Sequence, residues 1–381
     1  MSNKVKIVAD NKIPFLKGVL EPCADIQYLN PPDITHNVIK NADALIIRTR
    51  TNCNAELLEG TNVKFIATAT IGFDHIDTVY CERKNIKWIN APGCNSSSVM
   101  QYIASVLLTI SCRKNINLTD LTIGIVGVGN VGSKVERLAK ILGMKVLLND
   151  PPRARKEGNE GFVNLDELIS QSNIITFHVP LIKEGEDKTY HLADEIFFNK
   201  FKKSKIVINT SRGQVIETNS IKNAIKDKLV NTAVLDVWEN EPNIDLELLK
   251  MVDIATPHIA GYSADGKANG TSVCVKNISS FFGLNIDKDW YPMEIPRPGN
   301  SREILIDCKK HSNQEIFYKA VVSSYDIMID DGILRNSAET FEKQRGNYPV
   351  RREFPFYEIK TENCINEIEN KLKDLGFQIN T

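Results

Sequence analysis

The sequence predicts an α/β protein with two doubly wound parallel sheets, followed by a small α+β domain at the C-terminus. Three observations predict this fold: two consecutive series of short apolar runs, helical segments between those runs, and a change of pattern near Gly283, where a proline-rich stretch begins. Apolar runs of this kind are typical of strands that are buried on both faces of a parallel sheet. A chain of 381 residues is also too long for one ordinary core.

The first series lies in the N-terminal hundred residues. Its strand candidates are VKIVAD (5–10), ALIIRT (44–49), KFIATAT (64–70) and KWINA (87–91). A helix is predicted from about Ser98 to Lys114, because Ser98 and Gln101 have the spacing of a capping box and an apolar run follows them.

The second series repeats this alternation. Its strand candidates are TIGIVGVG (122–129), KVLLND (145–150), NIITFHVP (173–180), KIVINTS (205–211), TAVLDVW (232–238) and DIATPH (253–258). A helix is predicted over Val131–Leu142, where apolar residues recur at helical spacing. Two consecutive β/α series predict two doubly wound domains.

The domain boundaries follow from these series. The first domain is predicted to comprise residues 1–95 and 262–285, and the second residues 96–261. Residues 286–381, which mix strand-like and charged helical segments, are predicted to form the third domain.

Composition excludes several classes of partner. The net charge is −1, so no global field draws the chain to nucleic acid or to an anionic membrane. No apolar run approaches the about 18 residues of a membrane span, and no signal-peptide core is visible at the N-terminus. None of the eight cysteines forms a CxxC pair, so no metal site is expected and free thiols in a cytoplasmic protein are favoured.

A glycine-rich loop follows the first strand of the second series. Gly127, Gly129 and Gly132 form a GxGxxG pattern between a predicted strand and a predicted helix, where the helix N-terminus attracts phosphate. The next strand ends at Asp150, whose carboxylate suits the two ribose hydroxyls of NAD. Arg153 and Arg155 follow, and a nearby arginine can serve NADP, so NAD is favoured while NADP stays open.

Residues suited to acid–base chemistry stand at the ends of the later strands. Arg212 offers a planar fork for a carboxylate, and His258 can exchange a proton near neutral pH. The acids at and just beyond the end of the fifth strand are Asp236, Glu239 and Glu241. These groups predict the oxidation of a secondary alcohol beside a carboxylate, with His258 as the base. His75 and His178 are instead expected to orient loops.

These motifs resemble those of the D-isomer-specific 2-hydroxyacid dehydrogenases over both β/α series. The family's arginine, glutamate and histidine positions match Arg212, Glu241 and His258. The resemblance implies a flavodoxin-like substrate domain and a Rossmann NAD domain. It also implies that Arg212 binds the substrate carboxylate and that Glu241 orients His258.

The resemblance is stronger to one subgroup, which oxidises a 4-phosphorylated four-carbon hydroxy acid in vitamin B6 biosynthesis. It rests on ATATIGFDHID (67–77), APGCN (91–95), NDPPR (149–153), LDVWENEP (235–242) and TPHIAGYSADGKANGT (256–271). It implies a homodimer through the C-terminal domain and substrate contacts at Thr49, Thr70 and Tyr262. The full set of residues expected to contact the cofactor is Gly127, Gly129, Val131, Gly132, Asp150, Val179, Thr210, Ser211, Asp236 and Gly261.

A phosphorylated substrate also needs cationic or N–H donors away from Arg212. Arg48 and Arg50 are the candidates, of which one is expected to point inward because side chains alternate along an extended segment. The basic stretch NYPVRREF (347–354) is expected to be an interface or a solvated strand. Two alternatives stay open: another hydroxy acid such as 3-phosphoglycerate, and an NAD-sensing binding protein without catalysis.

Overall fold

The computed structural model describes residues 4–380; residues 1–3 and 381, which the predicted domain ranges include, lie outside the described residues. Two compact units are present. One contains the residues up to Asn95 together with Ser263–Pro296, and the other contains Ser96–Tyr262 together with the residues from Arg297 onward. Nowhere in residues 4–380 does a helix have the length and apolar composition that crossing a membrane requires.

The strands and helices alternate along most of the chain. The strands are β1 (Val5–Asp10), β2 (Ala24–Leu29), β3 (Ala44–Ile47), β4 (Phe65–Thr68), β5 (Lys87–Ile89), β6 (Thr122–Val126), β7 (Lys145–Asn149), β8 (Ile174–Phe177), β9 (Lys205–Asn209), β10 (Val230–Leu235), β11 (Ile254–Ala255), β12 (Glu303–Asp307), β13 (Glu358–Glu362) and β14 (Gln378–Asn380). The helices are α1 (His36–Ile39), α2 (Ala55–Leu58), α3 (Thr78–Arg83), α4 (Ser96–Lys114), α5 (Asn130–Ile141), α6 (Pro151–Glu157), α7 (Leu165–Gln171), α8 (Glu195–Asn199), α9 (Thr218–Lys226), α10 (Leu246–Met251), α11 (Ala264–Phe282), α12 (Asn313–Ser324), α13 (Ile327–Asn336), α14 (Phe341–Gly346) and α15 (Asn366–Leu375).

The first unit contains a five-stranded parallel sheet in the order β2-β1-β3-β4-β5. This is the flavodoxin-like order, as the resemblance implies. β3 and β4 are buried along their whole length, because they are apolar and lie inside the sheet. The sequence did not predict β2: it is a half-exposed edge strand with polar residues such as Asp25 and Gln27, so it lacks a continuous apolar run.

The second unit contains a six-stranded parallel sheet in the order β11-β10-β9-β8-β6-β7. The strand order reverses between β6 and β8, and ligands of such sheets bind outside the carboxyl ends of the strands at this point. All six strands were predicted. They end earlier than predicted, because the last predicted residues belong to the loops that follow the strands, and β11 keeps only two residues.

The C-terminal segment forms a three-stranded parallel sheet, β12-β13-β14, within the second unit. Val321 of α12 and Leu372 of α15 belong to the same buried cluster as Leu107 of α4 and Leu138 of α5. The segment therefore shares a hydrophobic core with the sheet that precedes it. Its separation into a third domain with its own function stays a prediction.

The predicted capping box at Ser98 is wrong. The helix α4 begins at Ser96, and Ser98 is buried inside it. The Ser98 hydroxyl donates to Glu353 Oε1 at 2.8 Å, and Gln101 Nε2 donates to the Arg352 carbonyl at 3.0 Å. Both polar side chains thus anchor the C-terminal segment, a long-range role that local spacing does not reveal.

Candidate active site

The glycine loop joins β6 to α5 at the point where the strand order reverses. Gly127 has a φ of +87°, and a Cβ there would lie 2.6 Å from the His178 carbonyl oxygen. A Cβ at Gly132 would collide with the carbonyl oxygen of Gly127, whereas a Cβ at Gly129 would meet nothing within 4 Å. Gly127 and Gly132 therefore satisfy the packing of the loop itself. Gly129 leaves open space at the helix N-terminus, which fits the pyrophosphate of a dinucleotide.

Asp150 stands one residue beyond β7, beside this loop. Its Oδ2 accepts the Val128 N–H at 2.8 Å, and its Oδ1 accepts the Arg153 N–H at 3.0 Å as the N-cap of α6. The two backbone donors hold the carboxylate in one orientation. A carboxylate held in this way can accept hydrogen bonds from the two hydroxyls of a ribose.

Arg153 and Arg155, because of which NADP was kept as a possible cofactor, both bind carboxylates. Arg153 Nε and Nη2 donate to the two carboxylate oxygens of Glu157 at 2.9 and 2.7 Å. Arg155 donates to Glu186 at 3.2 Å and to Asp187 at 2.5 Å. Since their charge is neutralised locally, the residues around Asp150 fit NAD better than NADP.

The turn after β9 contains three of the predicted site residues. Ser211 is buried, and both its N–H and its hydroxyl donate to Asn209 Oδ1, at 3.0 and 2.8 Å. Asn209 Nδ2 in turn donates to the Arg212 carbonyl at 2.9 Å. Asn209 therefore shapes the turn that presents Arg212. The sequence pattern did not single out Asn209, although it lies within the predicted strand KIVINTS (205–211).

Arg212 itself is half-buried, with Nη1 donating to the Ser211 carbonyl at 2.8 Å. A Cβ at the next residue, Gly213, would collide with the backbone of Trp238. The turn that holds Arg212 thus lies directly against the loop that follows β10.

Thr210, Val179 and Val131 are half-buried, and Thr210 Oγ1 lies 3.3 Å from His178 Nδ1. His178 Nε2 lies 3.0 Å from Thr176 Oγ1. Burial lowers the pKa of His178 to about 3. His178 is therefore neutral at neutral pH, and its ring lies between two threonine hydroxyls as a loop-orienting residue would.

His258 and Glu241 form a close pair. His258 Nδ1 lies 2.5 Å from Glu241 Oε1, and Glu241 Oε2 accepts the Trp238 N–H at 3.3 Å. Burial alone would raise the pKa of Glu241, but the hydrogen bond and charge of His258 and the charge of Arg345 together hold it below its ordinary value. Glu241 is thus an ionised partner that fixes the ring of His258.

Glu239, only two residues earlier, has different partners. Its Oε1 lies 2.7 Å from His191 Nε2, and its Oε2 accepts the Thr218 N–H at 2.7 Å. The structure thereby distinguishes two acids that are both candidates by sequence. Glu241 contacts the side chain of His258, and Glu239 holds a separate loop.

Asp236 is buried at the end of β10 and holds the backbone around His258. Its Oδ1 accepts the Thr256 hydroxyl at 2.7 Å and the Ile259 N–H at 2.8 Å, and its Oδ2 accepts the Ala260 N–H at 2.9 Å. Burial raises its pKa, although the charge of His258 and these hydrogen bonds oppose the rise. All these contacts are to the loop, so they support a positioning role; its predicted contact with NAD stays a prediction.

The loop ends at the half-buried residues Gly261 and Tyr262. The Tyr262 ring lies edge-on to Tyr348, 5.8 Å between centroids, and the Arg345 guanidinium lies 5.8 Å from its centre. Arg351 is only 4% exposed, and its Nη2 donates to the Ala260 carbonyl at 2.5 Å. The expectation of a solvated strand is therefore wrong for Arg351, which is packed inside its own unit, whereas the expectation of an interface in NYPVRREF stays a prediction.

The remaining predicted substrate residues belong to the first unit. Thr49 is exposed just beyond β3. Arg48 donates from Nε and Nη2 to the two oxygens of the buried Asp10, at 2.8 and 3.2 Å. This pairing neutralises the charge with which Arg48 was expected to attract a phosphate. Arg50, the other candidate, is exposed.

Thr70 follows β4, the strand next to β3. Its hydroxyl lies 2.8 Å from that of Thr68 and donates to the Gly72 carbonyl at 3.0 Å. His75 Nε2 lies 3.1 Å from the Thr68 hydroxyl. Burial lowers the pKa of His75 to about 4, so it is neutral near pH 7, as a loop-orienting residue would be.

The chain is similar to known proteins over almost its full length. Residues 110–260 match the family model described as D-isomer specific 2-hydroxyacid dehydrogenase, NAD binding domain, which confirms the predicted NAD domain. Residues 302–376 match a model described only as a domain of unknown function. The erythronate-4-phosphate dehydrogenase of Bacteroides thetaiotaomicron is 52% identical over 93% of this chain and 99% of that protein. The erythronate-4-phosphate dehydrogenase of Klebsiella pneumoniae is 38% identical over 98% of both chains.

Solved structures of related enzymes have the same fold over three quarters of the chain. The D-lactate dehydrogenase of Aquifex aeolicus, complexed with NAD and lactic acid, is 26% identical, with a TM-score of 0.63 over 76% of this chain and 100% of its own. The NAD⁺-bound 3-phosphoglycerate dehydrogenase of Entamoeba histolytica is 25% identical, with a TM-score of 0.63 over 77% of this chain and 100% of its own. On these relationships, the chain belongs to the erythronate-4-phosphate dehydrogenases, a branch of the D-isomer specific 2-hydroxyacid dehydrogenase family.

Proposed function

We propose that this protein oxidises 4-phospho-D-erythronate to 3-hydroxy-2-oxo-4-phosphobutanoate with NAD, a step of pyridoxal phosphate biosynthesis. The single observation that carries this proposal is the His258–Glu241 pair beside the Arg212 turn, in a chain whose relatives are named for this substrate. NAD supplies the hydride acceptor when it is bound.

His258 is the proton acceptor in this proposal. Its Nδ1 lies against the ionised Glu241, which favours the tautomer with a proton on Nδ1 and a lone pair on Nε2. Nε2 then takes the proton of the C2 hydroxyl while the C2 hydride leaves. Glu241 stabilises the imidazolium that forms, and Asp236 holds the backbone of the loop during the transfer.

Arg212 binds the substrate carboxylate and the oxygen on C2 that becomes a carbonyl. A guanidinium offers two parallel N–H donors, and it stabilises the charge that develops on that oxygen. Asn209 supports this role by fixing the turn from which Arg212 projects. We propose Thr49, Thr70 and Tyr262 as substrate contacts. Because Arg48 is neutralised by Asp10, it contributes orientation more than charge.

The C-terminal domain is proposed to form a homodimer, and the protein is proposed to act in the cytoplasm. Leu305, Ile329 and Ile365 of this domain are exposed apolar side chains, which suits an interface between two copies. Oxidation of another acid, such as 3-phosphoglycerate, is the alternative that the family leaves open. An NAD-sensing protein without catalysis is disfavoured, since the His258–Glu241 pair beside Arg212 supplies the groups that hydroxy-acid oxidation needs.

The test is NADH formation with NAD and 4-phospho-D-erythronate, compared with 3-phosphoglycerate, glycerate and D-lactate. We expect turnover of 4-phospho-D-erythronate well above that of the other acids, and none in His258→Ala, which should still bind NAD. Preference for another acid would keep the mechanism and overturn the substrate. Full activity in His258→Ala would overturn the proton-transfer role, and no turnover of any acid would favour the NAD-sensing alternative.

A further inference from the structure

The C-terminal segment contacts the catalytic loop of its own chain. The loop residues His258 to Tyr262 are held on one side by Asp236, at the end of β10. The contacts from Arg345, Tyr348 and Arg351 come from a stretch 83 or more residues further along the chain, beyond α13. Dimerisation does not require such contacts.

Ala260 is bound from both sides. Its N–H donates to Asp236 Oδ2 at 2.9 Å, and its carbonyl accepts from Arg351 Nη2 at 2.5 Å. These bonds fix the two peptide groups that flank Ala260. His258, two residues earlier, has a φ of +56°, a backbone conformation that is unfavourable for a non-glycine residue. Such a conformation persists only where the surrounding contacts impose it.

The guanidinium of Arg351 is held by two tyrosine rings. It lies 4.4 Å from the centre of the Tyr325 ring and 5.9 Å from that of Tyr348. The hydroxyls of these two tyrosines donate to the buried Asp330, at 2.8 and 2.7 Å. The Nε and Nη1 atoms of Arg351 are buried without a hydrogen-bond partner among the described residues. Nη2 lies 3.5 Å from the Ser98 carbonyl oxygen and 2.5 Å from that of Ala260, so Ala260 provides the short acceptor of this cation. Burying a guanidinium for a single strong hydrogen bond is costly, which favours a role for that bond beyond packing.

We propose that Arg351 is a positioning residue for the reaction: it fixes the Ala260 carbonyl and so holds the strained loop that presents His258 to the substrate. The inference rests on the proposed function. It gives the C-terminal segment a catalytic task within its own chain.

The test compares Arg351→Met with Arg351→Lys and Arg335→Met. Arg335 also anchors the C-terminal segment, through the carbonyls of Leu249 and Val252 at 2.6 and 2.8 Å. It pairs with Asp331, which accepts the Ala255 N–H at 2.7 Å, and among the described residues it has no hydrogen bond to residues 258–262. Its substitution therefore reports on loosened docking of the C-terminal segment at a place before residues 258–262. The turnover of each variant is expressed per NAD-binding site, so that a smaller fraction of folded protein does not lower the measured kcat.

We expect Arg351→Met to lower kcat per site by roughly 10²-fold, since small displacements of catalytic groups have effects of this size. The deuterium isotope effect on kcat, with substrate deuterated at C2, should rise because the chemical step becomes slower. Arg351→Lys should recover part of the activity, because an ammonium can still reach one carbonyl. In Arg335→Met, kcat per site should stay at the wild-type value even if the melting temperature falls.

Hydrogen exchange of peptides that cover residues 256–262 gives a readout that needs no substrate. Faster exchange there in Arg351→Met, and not in Arg335→Met, is the expected result. Unchanged exchange, or equal losses of kcat in both variants, would overturn the role of Arg351. If exchange were faster in Arg351→Met but the wild-type protein oxidised none of the acids tested, the result would count against the proposed function and not against the contact of Arg351 with the loop.

Discussion

Glu241 Oε1 lies 2.5 Å from Nδ1 of His258, whereas Glu239, two residues earlier, lies 2.7 Å from His191. The loop after β10 thus directs two neighbouring glutamates to two different histidines. His258 belongs to the loop that Asp236 holds, whereas Glu239, the partner of His191, also accepts the Thr218 N–H. The two acids offer a matched pair of substitutions.

Glu241→Gln should lower kcat by roughly 10²-fold or more, because an amide neither fixes the productive tautomer of His258 nor stabilises its protonated form. Glu239→Gln should change kcat far less and should mainly reduce stability, by about 1–3 kcal/mol, through its weakened bonds to His191 and Thr218. Steady-state kinetics and thermal unfolding of both variants provide the comparison. Equal losses of kcat would contradict the assignment of Glu241.

Gly129→Ala should weaken NAD binding without destabilising the protein. A Cβ at Gly129 meets no protein atom within 4 Å, so it occupies only the space proposed for the pyrophosphate. Gly127→Ala should instead unfold more easily, because its Cβ would lie 2.6 Å from the His178 carbonyl at a φ of +87°. Calorimetric titration with NAD, together with melting temperatures, separates the two effects. Unchanged NAD affinity in Gly129→Ala would place the cofactor elsewhere.

Asp150→Asn should shift coenzyme preference towards NADP by about tenfold, since the substitution removes the negative charge that repels a 2′-phosphate. Asparagine can still cap α6, so the fold should be kept. The shift should stay limited while Glu157 neutralises Arg153. Dissociation constants for NADH and NADPH, measured by fluorescence, test this. A ratio that does not change would show that Asp150 does not face the ribose.

His75 should make the protein sensitive to mild acid. Its pKa is about 4 in the folded protein, against an ordinary value of 6.5, because burial disfavours the charged form. The unfolded chain therefore binds the proton first, and stability falls as the pH drops from about 6.5 towards 4. Between pH 6.5 and 5 the loss should reach about 1.5 kcal/mol.

His75→Gln keeps a partner for Thr68 and cannot be protonated, so its free energy of unfolding should depend less on pH over this range. Urea unfolding at both pH values, followed by fluorescence of Trp88 in the same unit, measures the difference. If both proteins lost the same free energy, His75 would not be the group responsible.

Much of the fold is encoded locally, and the sequence therefore predicted it. The strands of both sheets are short apolar runs, and the glycine loop carries its own packing requirements at Gly127 and Gly132. Residues at the carboxyl ends of parallel strands meet at one sheet edge, so Arg212, Glu241 and His258 could be recognised as candidates.

What the sequence did not reveal depends on contacts between distant segments. The capping box at Ser98 satisfied a local rule, but Glu353 provides the partner of that hydroxyl. Arg351 belongs to a basic stretch that was expected to be an interface or a solvated strand, because nothing near it in sequence indicates the Ala260 carbonyl. The edge strand β2 was not predicted for a different reason. The prediction relied on continuous apolar runs, and only strands that are buried on both faces have them.

The central claim is direct oxidation at C2 of a phosphorylated hydroxy acid by NAD, with His258 as the base. Turnover of 4-phospho-D-erythronate deuterated at C2 tests it most directly, with the deuterium followed by mass spectrometry. We predict that the deuterium is recovered in the reduced cofactor, and that His258→Ala transfers none. Recovery of the deuterium in water, or transfer at the wild-type rate without His258, would contradict the account.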